Sequence, residues 1–92
     1  MTEDKILTKH PEGKKGVNIS KQKYDYLKEL ILESLSKEEL SYSQMVDYAK
    51  ERSKGFKGSI GWYLVSVKLD LEARRKIERI PKTKPELYRI IK

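Results

Sequence analysis

Cysteine is absent from this 92-residue chain, which excludes disulfides and thiolate metal sites. Histidine occurs once, at His10, so no histidine cluster is available to hold a metal or relay protons. No apolar run approaches the ~20 residues of a membrane span. The opening Met1-Thr2-Glu3-Asp4-Lys5 lacks the charged-then-apolar order of a secretory signal. The expected address is therefore cytoplasmic, with no membrane partner, and Asn18-Ile19-Ser20 is a chance match to a glycosylation acceptor. With Trp and Phe present once each, the aromatic content rests on six tyrosines. The length suits one domain, and a chain of this size buries only roughly 60–65% of the surface its unfolded form exposes.

Charge is plentiful. Lys and Arg number 21 against 14 Asp and Glu, for a net +7. Residues 1–20 hold four cations against three acids, 21–54 seven against seven, and 55–92 ten against four. A basic segment beside a neutral one suggests a surface for an anionic partner, nucleic acid first among them.

Residues 1–16 read as a flexible N-terminal arm ahead of a domain spanning 17–92. Gly13-Lys14-Lys15-Gly16 lacks the spacing and the Lys-Ser/Thr pair of a phosphate loop and is expected to be a basic turn. Val17-Asn18-Ile19 alternates as a short strand. Ser20 then caps a helix over residues 21–35, whose apolar positions Tyr24, Leu27, Ile31 and Leu35, with Leu30 beside them, keep the 3–4 spacing of one face. Residues 40–42 read as an extended link. Ser43 is expected to cap a brief helix over 44–52, with Val46 and Ala49 inward and Met45 and Tyr48 on its flank. Two glycines break the chain at 55–58, and Ser59 caps a third helix over 60–75. Ile60, Leu64, Val67 and Leu71 form its core stripe, with a second stripe of Trp62, Val65 and Leu69 beside it. Ile77-Glu78-Arg79-Ile80 alternates as a strand, Pro81-Lys82-Thr83-Lys84-Pro85 forms a turn, and residues 87–91 return as a second strand.

The passage from Leu69-Asp70-Leu71-Glu72-Ala73-Arg74 into Ile77-Glu78-Arg79-Ile80 resembles the end of a recognition helix entering the first wing strand of small microbial regulators, which often carry Gly where Arg75 stands. More closely, Gly61-Trp62-Tyr63 and residues 67–73 are similar to a family of small uncharacterised microbial proteins of winged-helix-like type. The resemblance implies a mainly α, α+β winged helix-turn-helix: three helices, a C-terminal β-hairpin wing and a short extra strand. It implies no function, because fold alone does not license one.

On that fold the helix at 60–75 would face a major groove, and its exposed candidates are Ser59, Tyr63, Ser66 and Lys68. Lys57, Lys82, Lys84 and Arg89 are the candidates for phosphate contact. Arg74, Arg75 and Lys76 have an equally good reading as compensation of the helix dipole and pairing with Glu72 or Glu78. Trp62, with Val65 and Leu69 on the same stripe, is expected to pack against the helix at 21–35 or the strand Val17–Ile19; exposed, it would mark a protein interface or a dimer contact. Asp70 and Glu72, like Glu38 and Glu39, read as solvated charges, and no nucleophile has an evident activating partner, so no catalytic residue, metal, cofactor or small-molecule ligand is expected. The expected function is non-catalytic nucleic-acid binding, DNA first, through phosphate contacts. The alternative is a protein-interaction or dimerisation module on the same fold.

Overall fold

The computed structural model describes residues 4–56 and 58–91. Strand β1 (Lys5–Leu7) is followed by β2 (Asn18–Ser20), α1 (Lys21–Lys37), β3 (Leu40–Ser41), α2 (Tyr42–Arg52), α3 (Ile60–Ala73), β4 (Ile77–Ile80) and β5 (Leu87–Ile90). The architecture is α+β and mainly helical, with two small antiparallel sheets: β1 with β2, and β3-β5-β4.

The 3–4 spacing read from the sequence becomes a single core. Leu27 and Ile31 of α1 meet Leu64, Val67 and Leu71 of α3, all at 1% exposure or less. Each such burial contributes about 1.5–3 kcal/mol. Met45 and Ala49, four residues apart on one line of α2, close one side; Ile19, Leu40, Ile77 and Tyr88 bring the strands onto the same cluster.

Caps and turns fix where the elements begin and end. Ser20 Oγ accepts the Lys23 N–H at 3.2 Å and Ser59 Oγ accepts that of Trp62 at 3.3 Å, as the sequence predicts. α2 starts two residues earlier than expected. Its cap is Ser41, not Ser43: Ser41 Oγ accepts from Gln44 N at 3.3 Å while Gln44 Oε1 accepts from Ser41 N at 2.9 Å, a complete capping box. Met45 is accordingly inward and Val46 only partly buried. α3 ends at Ala73 in a left-handed turn, where Arg75 takes φ 60°. Its N–H donates to Glu72 O at 3.1 Å and that of Lys76 to Leu71 O at 2.9 Å, closing the helix with two otherwise unsatisfied carbonyls occupied.

The described part of the N-terminal arm is tied to the body rather than loose. β1 pairs with β2 in the register Lys5↔Ser20, Ile6↔Ile19 and Leu7↔Asn18. Thr8 is buried, donates its N–H to Val17 O at 2.9 Å and accepts the Val17 N–H on Oγ1 at 3.0 Å. A Cβ at Gly16 would stand 1.7 Å from Thr8 O, so only glycine permits this approach.

At the other end, β4 and β5 form the expected hairpin, with Ile77↔Ile90, Glu78↔Arg89, Arg79↔Tyr88 and Ile80↔Leu87 opposed. Thr83 Oγ1 donates to Ile80 O at 3.0 Å and accepts the Leu87 N–H at 2.9 Å, which holds the tip. β3, between the first two helices, pairs with β5 through Leu40↔Tyr88 and Ser41↔Leu87.

Candidate interaction face

The polar side chains of α3 are turned back into the protein. Lys68, expected outside, is 5% exposed. Its Nζ donates to Glu72 Oε2 at 2.9 Å and to Tyr88 Oη at 3.1 Å, and lies 4.4 Å from the centre of the Tyr88 ring. Ser66 is buried and donates to Trp62 O at 3.0 Å. Tyr63 is half-buried; its hydroxyl accepts from Lys23 Nζ at 3.3 Å, and the same ammonium sits 4.5 Å from its ring centre. Ser59 uses its hydroxyl as the helix cap. A base reader needs free donors and acceptors on the outward face, and these four groups are engaged within the chain.

Asp70 corrects a second expectation. It is fully buried, not solvated. Its carboxylate accepts the Tyr24 hydroxyl, Arg74 Nε at 2.9 Å and the backbone N–H of Lys9 at 2.8 Å. Burial first, then the hydrogen bond to Asp70, hold the Tyr24 phenol well above its ordinary range. The hydrogen bond to Asp70 likewise raises Arg74. Glu72, also expected to be solvated, is largely buried in a separate group with Lys68 and, at 3.9 Å, Arg79.

These pairs reduce the basic character of residues 55–92. Each of its four acids is ion-paired: Asp70 with Arg74, Glu72 with Lys68, Glu78 with Arg89 at 2.7 Å, and Glu86 with Arg79 at 3.4 Å. Arg89, a predicted phosphate contact, thus lies in a cross-strand ion pair. Lys57 falls outside the described residues. Lys82 and Lys84 are exposed at the hairpin tip, and Arg75 and Lys76 are exposed at its base. Tip and base are separated by the four residues of β4, roughly 13 Å of strand, so these cations form two small groups instead of one face.

What α3 does present outward is apolar. Trp62, Val65, Leu69 and Ala73 follow one another at spacings of three, four and four, a single line on a helix. Trp62 is 47% exposed and stands edge-on to Tyr63, with ring centres 4.9 Å apart. The expected packing of Trp62 against the body does not occur. Val65, Leu69 and Ala73 are partly exposed. The line carries no charge along the length of the helix.

At its C-terminal end the line meets the N-terminal arm, where no site residue was expected. Leu7 on β1, 58% exposed, and Ala73 border a groove of ≈ 450 Å³ whose rim carries Lys9, Lys14 and Lys15. Lys14 pairs with Glu12 at 3.0 Å in the open, whereas Lys9 and Lys15 make no side-chain ion pair among the described residues. The signal available in the sequence was Gly13-Lys14-Lys15-Gly16; what it lacked was the docking of Lys9 on Asp70, which lies 61 positions away.

No curated protein and no solved structure matches the chain. Residues 5–88, which take in the docked arm, the three helices and most of the hairpin, match a family of unknown function, DUF6958, and the chain belongs to that family.

Proposed function

We propose that the chain is a non-catalytic interaction module in a winged-helix arrangement, and that it engages another protein through the outward face of α3. The arrangement is supported by the order α1-β3-α2-α3-β4-β5, in which the strand between the first two helices pairs with the second strand of the terminal hairpin. The single observation that carries the function is the uncharged line Trp62, Val65, Leu69 and Ala73 on the helix that would otherwise read bases. Water-exposed apolar surface of this kind, headed by an aromatic, fits a protein interface, where Trp and Tyr side chains anchor binding. A nucleic-acid surface would need the reverse, cations and hydrogen-bonding groups facing out.

A second reading is favoured by one observation. Lys82 and Lys84 are exposed at the hairpin tip and make no ion pair among the described residues. A tip of that kind supports phosphate contacts on DNA that add affinity without sequence choice.

Photo-crosslinking in the source cell separates the two. A benzophenone side chain placed at position 62 is expected to give a discrete protein adduct that is lost when Leu69→Asp is added. The same group at exposed Tyr26, which lies on α1, serves as the control. A nucleic-acid adduct from position 62, or no adduct above the control, would overturn the protein reading.

A further inference from the structure

The uncharged line on α3 does not end in neutral surroundings. It runs from Trp62 to Ala73, and Ala73 and Leu7 share the groove rimmed by Lys9, Lys14 and Lys15. None of the described residues lining that groove is acidic. The apolar line thus has cations grouped at its C-terminal end. Neither Lys9 nor Lys15 makes a side-chain ion pair among the described residues, and Asp70, which accepts the Lys9 backbone N–H, is buried and bonded to Tyr24 and Arg74.

Resting on the protein-interaction reading, we infer that the partner is an acidic amphipathic helix, apolar along one face and flanked by carboxylates. It lies along α3 with its apolar face on Trp62, Val65 and Leu69 and its acids toward Lys9, Lys14 and Lys15. Charge complementarity selects this occupant. A second copy would bring the same lysines and another +7 toward a basic rim. A duplex would lay its phosphates on a track without a cation. An acidic helix satisfies the apolar line and the rim together, in the groove-and-helix mode read by anchors at 3–4 spacing.

The test uses the intact chain and a synthetic peptide of about 14 residues, matched to the ~21 Å length of α3. The peptide carries leucines at 3–4 spacing and glutamates beside them; a control replaces the glutamates by lysines. Binding is followed by emission of Trp62, the sole tryptophan, and by amide chemical shifts. The acidic peptide is expected to bind with a Kd of about 1–100 µM, as small transient interfaces do, and to shift residues 62, 65, 69 and 73 together with 7–9. The lysine control is not expected to bind. Trp62→Ala should weaken binding by about 30-fold, as removal of an anchor does. Lys9→Glu with Lys14→Glu and Lys15→Glu should weaken it by about tenfold at ~50 mM salt and by less at ~500 mM. Thermal melts of each variant establish that the fold is retained; both sets of side chains are exposed, so either variant alone suffices. Equal binding of the two peptides, shifts confined to other surfaces, or no binding would overturn the inference. So would occupation of the same α3 face by duplex DNA or by vesicles containing phosphatidylserine, or a dimer through Trp62 detected by light scattering. A protein adduct from position 62 without acidic-peptide binding removes only the partner's class, and failure of both removes the interaction reading as well.

Discussion

The backbone N–H of Lys9 donates to Asp70 Oδ1 at 2.8 Å, joining the strand region before α1 to the last turn of α3. Through Asp70 the same carboxylate holds the Tyr24 hydroxyl of α1 and Arg74 at the end of α3. One buried acid therefore ties together the arm, α1 and the end of α3. With three donors and one of them a guanidinium, the buried carboxylate is paired and hydrogen-bonded, the condition under which a charge is tolerated in an apolar interior.

Asp70→Asn is expected to lower stability by about 2–3 kcal/mol, because the amide replaces a charge that Arg74, Tyr24 and Lys9 all address. The loss should concentrate at the N-terminal strand. Hydrogen exchange would show faster exchange at Lys9 and across the β1–β2 pair, with the α1–α3 core still protected. Uniform loss of protection across the chain would mean that Asp70 holds the core instead of the arm.

Tyr24 sets an alkaline limit. Its phenol ionises well above the ordinary value near 10 in the folded chain, so the neutral form is the one the fold stabilises. That contribution is complete below pH 10 and is lost as pH rises above it, because the unfolded chain then releases a proton that the folded chain retains. Chemical denaturation of the wild type should weaken steeply above pH 10. Tyr24→Phe should start less stable and show a shallower alkaline decline. A parallel decline in the two proteins would place the effect elsewhere.

Much of the core was legible in the sequence because it follows local periodicity. Ile60, Leu64, Val67 and Leu71 are buried where their spacing puts them, and the hairpin follows from alternation flanked by prolines. The outward line of α3 shows where periodicity stops: Trp62, Val65 and Leu69 have the spacing of a buried stripe, and spacing does not say whether a second surface arrives to cover them. Lys68 and Asp70 flank the core stripe on the helical wheel, the one hint that both would be drawn inward. Their partners, Tyr88 and Tyr24, are 20 and 46 positions away. Pairing of β1 with β2 and docking of Lys9 were likewise set by distant contacts.

The cap of α2 was legible and misread. Ser41 and Ser43 are both suitable residues, but only Ser41 has glutamine three positions on, the signature of a capping box. Ser41→Ala should cost about 1 kcal/mol, while Ser43→Ala should stay within about 0.5 kcal/mol of wild type. Urea denaturation of the two variants distinguishes the positions, and equal losses would contradict the assignment.

Arg75 occupies a left-handed conformation at the end of α3, the place where the resembling regulators often carry glycine. A non-glycine residue there costs roughly 1–2 kcal/mol, against which glycine loses about 0.5–1 kcal/mol in the unfolded chain. Arg75→Gly should therefore stabilise the fold by about 0.5–1 kcal/mol, seen as a rise of a few degrees in Tm. A fall in Tm would show that the arginine side chain contributes more than its backbone costs.

If the outward face of α3 serves a protein partner, as proposed, nucleic acid is left to the hairpin at most. Titration of the intact chain with duplex DNA, followed by Trp62 emission and by anisotropy of labelled DNA, tests it directly. At ~50 mM salt the emission of Trp62 should be unchanged by DNA. Any binding seen by anisotropy should lose affinity with salt at a log–log slope no steeper than about −3 to −4, the release expected from Arg75, Lys76, Lys82 and Lys84. Quenching of Trp62 by DNA, with binding weakened by Trp62→Ala, would contradict the account.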